Sequence, residues 1–246
     1  MMHQFWWIHL KLSARVGLTI SKTWPTSSVL STSRTNLALM DVTVAVFDVD
    51  GTLTVRDCVV PFTRRVAGTP RLVGGILRQP RKVVSALVAR DRDALKAAFA
   101  GIAFVGVPAA ELENHAIAFA DEVYSGWMRE DVARRFRWHQ EQGHVVVLVS
   151  ASIETYLAPL GDLLEADAVL CTRLEIVDGV ATGRLDGANC RGAEKVRRIA
   201  QWCEEAGLTL DAVEYAYGDS NGDKEMLELA RQSFFVAKDE LTEVPS

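Results

Sequence analysis

The sequence predicts an α/β protein built on a doubly wound (Rossmann-like) parallel sheet, with a helical cap inserted after the first strand. Two observations support this prediction. Short β-branched, apolar runs without polar alternation, which are typical of strands buried on both faces of a parallel sheet, alternate with helical segments. After the first run comes a long stretch that contains helix-like segments only, so we interpret it as an insertion.

The predicted strands and helices follow one another in the order that a doubly wound sheet requires. The five strands are residues 42–47, 144–149, 168–171, 213–217 and 234–237. The four helices are residues 130–142, 153–160, 192–206 and 223–231. We also expect a β-hairpin over residues 173–185, because two strand-like runs flank Asp178 and Gly179, a dipeptide typical of tight hairpin turns.

The cap is predicted over residues 55–127. Between Leu53 and Trp127 the helix-like segments are punctuated by prolines and glycines, and no strand pattern is convincing. The α/β core then comprises residues 41–54 and 128–246. A chain of 246 residues is long enough for one such core with an insertion.

The first 40 residues differ in composition from the rest, because they contain four basic residues, no acidic residue and many Ser and Thr. We expect an N-terminal extension outside the fold, either disordered or the product of a start codon assigned too early, since Met40 directly precedes the first strand. A transit peptide is the alternative that this composition also fits.

The net charge of −5 argues against general binding to nucleic acid, which needs a basic face to meet the phosphates. The charge is uneven, however, since residues 56–92 contain nine Arg or Lys against two acids, a local charge of +7. Residues 72–88 combine apolar and basic positions in an amphipathic pattern. Two interpretations stay open, namely a solvated cap helix and a surface for peripheral contact with an anionic membrane.

The four cysteines include no C-x-x-C pair and no histidine at zinc-ligand spacing, so we interpret them as thiols of a reducing compartment. No apolar run approaches the roughly 20 residues that a membrane-spanning helix needs. We therefore expect a cytoplasmic protein, with peripheral membrane contact left open. The sequence gives no indication of the oligomeric state.

Asp48 and Asp50 stand two residues apart where the chain leaves the first predicted strand, in the segment D-V-D-G-T. In an extended backbone, residues i and i+2 lie on one side, so both carboxylates would face the same point. Two like charges at such a short distance are costly unless a cation or a shared proton relieves the repulsion. A calcium loop also begins D-x-D, but the later Glu that it needs is missing.

Polar side chains also follow other predicted strands, and ligands of open α/β sheets bind beyond the carboxyl ends of the strands. Ser150 and the free amides of the next helix form a candidate anion site, although Ser150 fits equally well as a helix N-cap. Ser152, next to the helix start, is interpreted as an N-cap. Lys195 opens a helix, where a cation needs a nearby anion to offset the helix dipole.

Asp219 and Asp223 follow the strand over residues 213–217 in the segment G-D-S-N-G-D. Carboxylate oxygens are ligands that Mg²⁺ prefers, and Mg²⁺ commonly takes one or two protein carboxylates together with substrate phosphate. This segment alone is weak evidence for a metal site. It gains weight because it lies at another strand end.

These four motifs in this order resemble those of the haloacid dehalogenase (HAD) superfamily of hydrolases. Within it, the chain is similar to the phosphoserine-phosphatase-like subfamily IB, which carries a helical cap between the first two motifs. The motifs are D-x-D-G-T, the strand-end Ser, the Lys and G-D-x-x-x-D, and the resemblance spans about residues 42–237. It is specific for the superfamily and not for a substrate.

The resemblance implies a phosphoric monoester hydrolase in which Asp48 attacks phosphorus and forms an aspartyl-phosphate. Asp50 would protonate the leaving oxygen and then deprotonate the hydrolytic water. Mg²⁺ would be held by the Asp48 carboxylate, the Asp50 backbone carbonyl and Asp219, while Asp223 orients the water molecules of the metal.

The resemblance also assigns the phosphoryl oxygens to Ser150 and Lys195. Phosphoserine phosphatases read their substrate with an acid nine residues after the nucleophile and with a cap Arg. Asp57 has the acid's position here, but residues 97–106 contain no Arg, and Lys96 cannot make the planar bidentate contact. This departure disfavours phosphoserine. A small phosphomonoester, a lipid phosphate such as phosphatidylglycerophosphate, phosphoserine, and a phosphotransferase reaction all stay open.

Overall fold

The computed structural model describes residues 42–78, 88, 92–236 and 241. Our expectations for residues 1–40 lie outside the described residues, and so does most of the second half of the amphipathic stretch over residues 72–88. The described residues contain one sheet with helices on both of its faces.

Six strands form this sheet, in the order β4-β3-β2-β1-β5-β6. They are β1 (Val44–Phe47), β2 (Val145–Ile153), β3 (Ala168–Val177), β4 (Val180–Asp186), β5 (Val213–Gly218) and β6 (Gln232–Phe235). All neighbouring pairs are parallel except β3 with β4. The predicted doubly wound parallel sheet is therefore confirmed, with β1 between β2 and β5.

Seven α-helices accompany the sheet in the described part of the chain. They are α1 (Val59–Arg78), α2 (Arg92–Ala103), α3 (Ala109–Gly126), α4 (Glu130–Glu141), α5 (Glu154–Leu163), α6 (Ala193–Glu205) and α7 (Lys224–Leu229). Residues of β1 alternate between two hydrophobic clusters. Ala45 and Phe47 belong to the cluster that includes α3, α4 and α5, whereas Val44 and Val46 belong to that of α6 and α7. A strand buried on both faces needs apolar residues throughout, as the sequence of β1 has.

The predicted hairpin is present, but its first strand is the continuation of β3 and not a separate element. Asp178 and Gly179 both take positive φ, 49° and 77°, as a tight two-residue turn requires. The hairpin supports the segment between α2 and α3, because Gly106 N donates to Ala181 O and Ala109 N donates to Gly179 O. The sequence pattern predicts the hairpin but not its hydrogen bonds to the segment between α2 and α3.

Helices α1 to α3 lie between β1 and α4, as expected for a helical insertion after the first strand. The chain enters and leaves this segment through an antiparallel bridge between Thr54 and Met128. Helix α3 packs closely on the core, with the ring of Phe119 5.3 Å from that of Tyr156 on α5. The limits of the cap at 55 and 127 stay a prediction.

Helix α1 contains the first part of the amphipathic stretch. Val73 and Leu77 are exposed, whereas Arg71 donates to the carbonyl oxygens of Ile102 and Val105 at the end of α2 and beyond. The basic residue that directly precedes the stretch is therefore engaged within the cap. Among the described helices, none is long and apolar enough to cross a membrane.

The predicted end of the second strand is wrong, and the difference affects the candidate site. We predicted that the second strand ends at residue 149, but β2 continues to Ile153, because its end pairs with Thr172 of β3. Helix α5 begins at Glu154 with Ile153 as its N-cap and without a side-chain cap. Our interpretation of Ser152 as an N-cap is therefore wrong, since Ser152 lies within the strand.

His139 of α4 is fully buried beneath the sheet. Its Nε2 lies 2.9 Å from the hydroxyl of Tyr217, and its Nδ1 lies 2.7 Å from Nδ1 of His144. Burial, together with the neighbouring His144 and Arg135, lowers the pKa of His139 from 6.5 to about 3. The native state therefore keeps this ring neutral well below neutral pH.

We predict that His139 makes the protein sensitive to acid. As the pH falls from 6.5 toward 3, the unfolded chain protonates this ring and the native state does not. The free energy of unfolding then falls by up to about 1.4 kcal/mol per pH unit from this one group. Denaturant titrations at several pH values on the wild type and on His139→Gln measure it. The variant should lose less stability on acidification, and equal pH dependences would contradict the prediction.

Candidate active site

A cavity of about 430 Å³ lies at the carboxyl ends of β1, β2 and β5, under helices α1 and α2. All seven residues that the sequence singled out line it. They are Asp48, Asp50, Asp57, Ser150, Lys195, Asp219 and Asp223. The carboxyl edge of a parallel sheet thus brings together residues that are far apart in the chain.

Asp48 follows β1 directly, and its carboxylate is held from two sides. Lys195 Nζ donates to Oδ1 at 2.6 Å, and Thr52 Oγ1 donates to Oδ2 at 3.1 Å. The backbone N–H of Asp48 donates to Tyr217 O at 2.9 Å, which ties the end of β1 to β5. The side chain of Asp48 is therefore oriented before any ligand arrives. Sequence reasoning gave Thr52 no role.

Lys195 is 1% exposed in the first turn of α6. Its Nζ donates to Asp48 Oδ1 and Asp223 Oδ1, both at 2.6 Å, and to Val149 O at 2.7 Å. Burial alone would lower the pKa of Lys195, but the two carboxylates outweigh burial and raise it. Lys195 therefore stays charged, and these carboxylates are the anions that its position at a helix start requires.

Asp48, Asp219 and Asp223 form an acidic cluster, with one carboxylate oxygen of each within 4.8 Å of the others. Burial first, and then repulsion from Asp223, raises the pKa of Asp48 against the effect of Lys195. Burial, with repulsion from Asp48 and Asp223, raises the pKa of Asp219 to about 6. Three carboxylates face one ammonium, so the cluster lacks positive charge, and its hard oxygen donors fit a Mg²⁺ site.

Gly51 gives Asp219 the space to join this cluster. Its φ of 84° is one that side chains rarely adopt, and a Cβ at this position would lie 2.3 Å from Asp219 Oδ2. The Gly of the D-V-D-G-T segment thus serves both the turn and the close approach of a carboxylate.

Asp50 does not turn its carboxylate toward this cluster, although the sequence predicted that both carboxylates face one point. Its Oδ1 accepts from Cys58 N at 2.8 Å, and its Oδ2 accepts from Ser152 Oγ. Burial first, and then repulsion from Asp57, raises the pKa of Asp50 to about 6. The carboxylates of Asp50 and Asp48 thus have different hydrogen-bond partners. A metal contact through the backbone carbonyl of Asp50 stays a prediction.

Ser150 and Asp57 both reach the cavity, with different surroundings. Ser150 is 1% exposed, and its Oγ accepts from Ser152 N at 3.0 Å. Asp57 is exposed, and its Oδ1 accepts from Val60 N at 3.0 Å, which caps the first turn of α1. Contacts of either residue with a substrate stay predictions.

Lys96 of α2 links the cap to the core. Its Nζ donates to Ala151 O and, at 3.0 Å, to Asn189 Oδ1, and Thr172 Oγ1 donates to the same Asn189 oxygen at 2.8 Å. The sequence gave no signal for this contact, because Lys96 and Asn189 are 93 residues apart. We considered Lys96 only as a substitute for a missing arginine.

A doubly wound sheet with a buried lysine and an acidic cluster at its carboxyl edge, covered by helices, defines an α/β enzyme with a site suited to a divalent metal. More particularly, the chain belongs to the haloacid dehalogenase-like hydrolase family, whose model matches residues 45–228. This confirms the resemblance drawn from the four motifs.

Two relatives and one solved structure are similar to this chain. Protein CicA of Caulobacter vibrioides is 39% identical over 186 residues, which cover 75% of this chain and 81% of that protein. A phosphoserine phosphatase of Mycobacterium tuberculosis is 29% identical over 206 residues, 81% of this chain and 67% of that protein. A Bordetella pertussis protein of unknown function has the same fold, with a TM-score of 0.65 at 22% identity over 79% of this chain and 90% of that one. The chain is thus a HAD-like hydrolase related to phosphoserine phosphatases.

We predict that Gly51→Ala weakens Mg²⁺ binding by about tenfold or more, because the added methyl group displaces Asp219. Gly143→Ala is the matched control, since Gly143 also has positive φ, 74°, but open space around it. Both variants should lose on the order of 1 kcal/mol of stability from backbone strain. Isothermal titration with Mg²⁺ measures the affinities, and equal affinities for the two variants would contradict the role of Gly51.

Proposed function

We propose that this protein is a Mg²⁺-dependent phosphomonoester hydrolase that acts through an aspartyl-phosphate on Asp48. The observation that carries the proposal is the surroundings of the Asp48 carboxylate, which contacts the Lys195 ammonium and forms the acidic cluster with Asp219 and Asp223 in the cavity. An anionic nucleophile approaches an anionic phosphate only where cations cancel the repulsion. Asp48, Asp219 and the Asp50 carbonyl would hold Mg²⁺, and Asp223 would orient the water molecules of the metal. Bound Mg²⁺ would offset the charge of the phosphoryl oxygens.

In the first half of the reaction, a carboxylate oxygen of Asp48 attacks phosphorus while the bond to the leaving oxygen breaks. Asp50 donates its proton to that oxygen, and the free alcohol departs. Ser150 donates to a phosphoryl oxygen. Lys195 favours the ionised form of Asp48 against the effect of burial, because its ammonium lies 2.6 Å from Oδ1.

In the second half, a water molecule attacks phosphorus and gives its proton to Asp50. The bond between phosphorus and Asp48 breaks, so that inorganic phosphate leaves and both carboxyl groups return to their starting states. A pKa of about 6 suits Asp50 to both steps, since it can release and accept a proton near neutral pH.

The cavity wall supports a small phosphomonoester as the substrate. Opposite the polar strand ends, the cap contributes the apolar Val59, Leu72 and Phe99, and the loop before α6 contributes Arg191. This wall combines apolar contact with positive charge for the part of the substrate beyond the phosphate. Phosphoserine and a phosphotransferase reaction remain alternatives for the same machinery.

We predict that Asp48→Asn lowers phosphate release by at least about a thousandfold, because the amide cannot attack phosphorus. A chelator should abolish activity and added Mg²⁺ should restore it. The matched control is Asp211→Asn, the same change on an exposed residue outside the cavity, which should leave the rate unchanged. Activity that survives the Asp48 substitution or the chelator would overturn the proposal.

The same assay identifies the substrate class when it is run on phosphoserine, sugar phosphates and phosphatidylglycerophosphate. Rapid turnover of phosphoserine would overturn our argument from the missing cap arginine. Transfer of the phosphoryl group to an added alcohol in preference to water would indicate the phosphotransferase.

A lipid phosphate is the second candidate, because the cap exposes apolar side chains near the cavity wall. On α1, Val73 is 50% exposed and Leu77 is 74% exposed, while Leu72, which directly precedes Val73 in the chain, lines the cavity. A cap surface of this kind suits a membrane interface that carries the substrate. The cytoplasmic location, with peripheral membrane contact, stays a prediction.

If this second candidate holds, the protein should sediment with anionic vesicles in a salt-sensitive way, and less with neutral ones. Leu77→Glu should weaken that binding severalfold, because it puts a charge into the apolar contact. Ile117→Glu makes the same type of change on α3, where Ile117 is 55% exposed, and should leave binding unchanged. Vesicle binding that is absent, or equal in both variants, would remove this candidate.

A further inference from the structure

We propose that Ser152 and Tyr156 form a hydroxyl relay that positions Asp50 as the general acid for the leaving group. This inference rests on the proposed function, because it concerns the proton that Asp50 donates. It adds two positioning residues that the four motifs do not contain.

The relay is a chain of hydrogen bonds that ends on Asp50. Tyr156 OH donates to Ser152 Oγ at 2.5 Å, and Ser152 Oγ donates to Asp50 Oδ2. The other oxygen of Asp50, Oδ1, accepts from Cys58 N at 2.8 Å. With one partner on each oxygen, the plane of the Asp50 carboxyl group is fixed, and the group lines the cavity.

The two hydroxyl groups are held firmly by the fold. Ser152 and Tyr156 are both 0% exposed. Ser152 lies in the last part of β2, and Tyr156 follows four residues later in the first turn of α5. The ring of Tyr156 packs against Phe62 at 4.8 Å and Phe119 at 5.3 Å, so two of the cap helices, α1 and α3, help to fix it.

The relay also gives Asp50 a partner that is compatible with both of its protonation states. A hydroxyl group can both donate and accept a hydrogen bond, whereas an ammonium or an amide N–H can only donate. The contact with Ser152 is therefore kept when Asp50 gives its proton to the leaving oxygen. A lysine in the place of Ser152 would favour the carboxylate and oppose proton donation.

The chemical step itself is unchanged by the relay. The bond from Asp48 to phosphorus forms, the bond from phosphorus to the leaving oxygen breaks, and the proton of Asp50 moves to that oxygen. Ser152 and Tyr156 exchange no atom with the substrate. They act through the geometry of Asp50, to which proton transfer is sensitive.

The leaving group separates this role from a merely structural one. An alkoxide leaves poorly without a proton, so alkyl phosphates depend strongly on the general acid. The 4-nitrophenolate ion leaves readily without one. A misplaced Asp50 should therefore slow the phosphorylation step on an alkyl phosphate far more than on 4-nitrophenyl phosphate, whereas a general loss of structure slows both alike.

The test compares kcat/KM for glycerol phosphate and for 4-nitrophenyl phosphate, with saturating Mg²⁺. We expect Ser152→Ala and Tyr156→Phe to lower kcat/KM about 10- to 100-fold on glycerol phosphate and less than about threefold on 4-nitrophenyl phosphate. Ser152→Thr keeps the hydroxyl group and should recover most of the loss. Tyr217→Phe is the matched control, since it removes a buried hydroxyl that pairs with His139 and not with Asp50, and it should not change the ratio of the two substrates.

Each outcome decides the matter. Equal losses on both substrates, or no loss on glycerol phosphate, would overturn the relay while the proposed function stands. Tyr156→Phe removes one oxygen atom only, so it decides the question if Ser152→Ala does not fold. If the wild type hydrolyses neither ester with Mg²⁺, the proposed function fails first, and the relay fails with it.

Discussion

The buried ammonium of Lys195 between Asp48 and Asp223 is the interaction on which the rest of the site depends. Both contacts are 2.6 Å long, and all three side chains are buried. Removing one partner of such a buried ion pair typically costs about 3–5 kcal/mol, because the remaining charges lose their compensation. This triad joins helix α6 to the end of β1 and to the loop after β5. It therefore sets the geometry of the Asp48 carboxylate as well as its electrostatic surroundings.

The same convergence of carboxylates constrains the backbone around it. A Cβ at Gly51 would meet Asp219, and a Cβ at Gly218 would lie 2.5 Å from the Cβ of Asp223. Both glycines allow acidic side chains to approach more closely than an ordinary strand end permits. Such crowding is costly for stability and is typical of sites whose charges await a ligand. The carboxyl edge of the sheet thus carries crowded acidic side chains, whereas the interior of the sheet is apolar.

The cap and the core contribute different walls of the cavity. The strand ends of the core supply the acidic cluster to the cavity, while α1 and α2 supply the opposite wall. The contacts that join these halves close to the site include the hydrogen bond of Lys96 with Asn189 and the aromatic packing of Tyr156 with Phe62. The second contact means that the cap also helps to fix a core side chain near Asp50. The cap and the core are therefore joined close to Asp50 by side-chain packing.

The sequence by itself determined the fold class and the residues at the strand ends. Strands buried on both faces require unbroken apolar runs, and the polar residue that ends such a run is visible from local order alone. Asp48 and Asp219 could be found in this way, whereas Lys195 was identified from its position at the start of a predicted helix. Only the tertiary structure decided which groups they contact. The extension of β2 to Ile153 depends on pairing with β3, and the contact of Ser152 with Asp50 joins residues 102 positions apart. Hydrogen-bond partners of this kind follow from three-dimensional packing, which has no signature in the order of neighbouring residues.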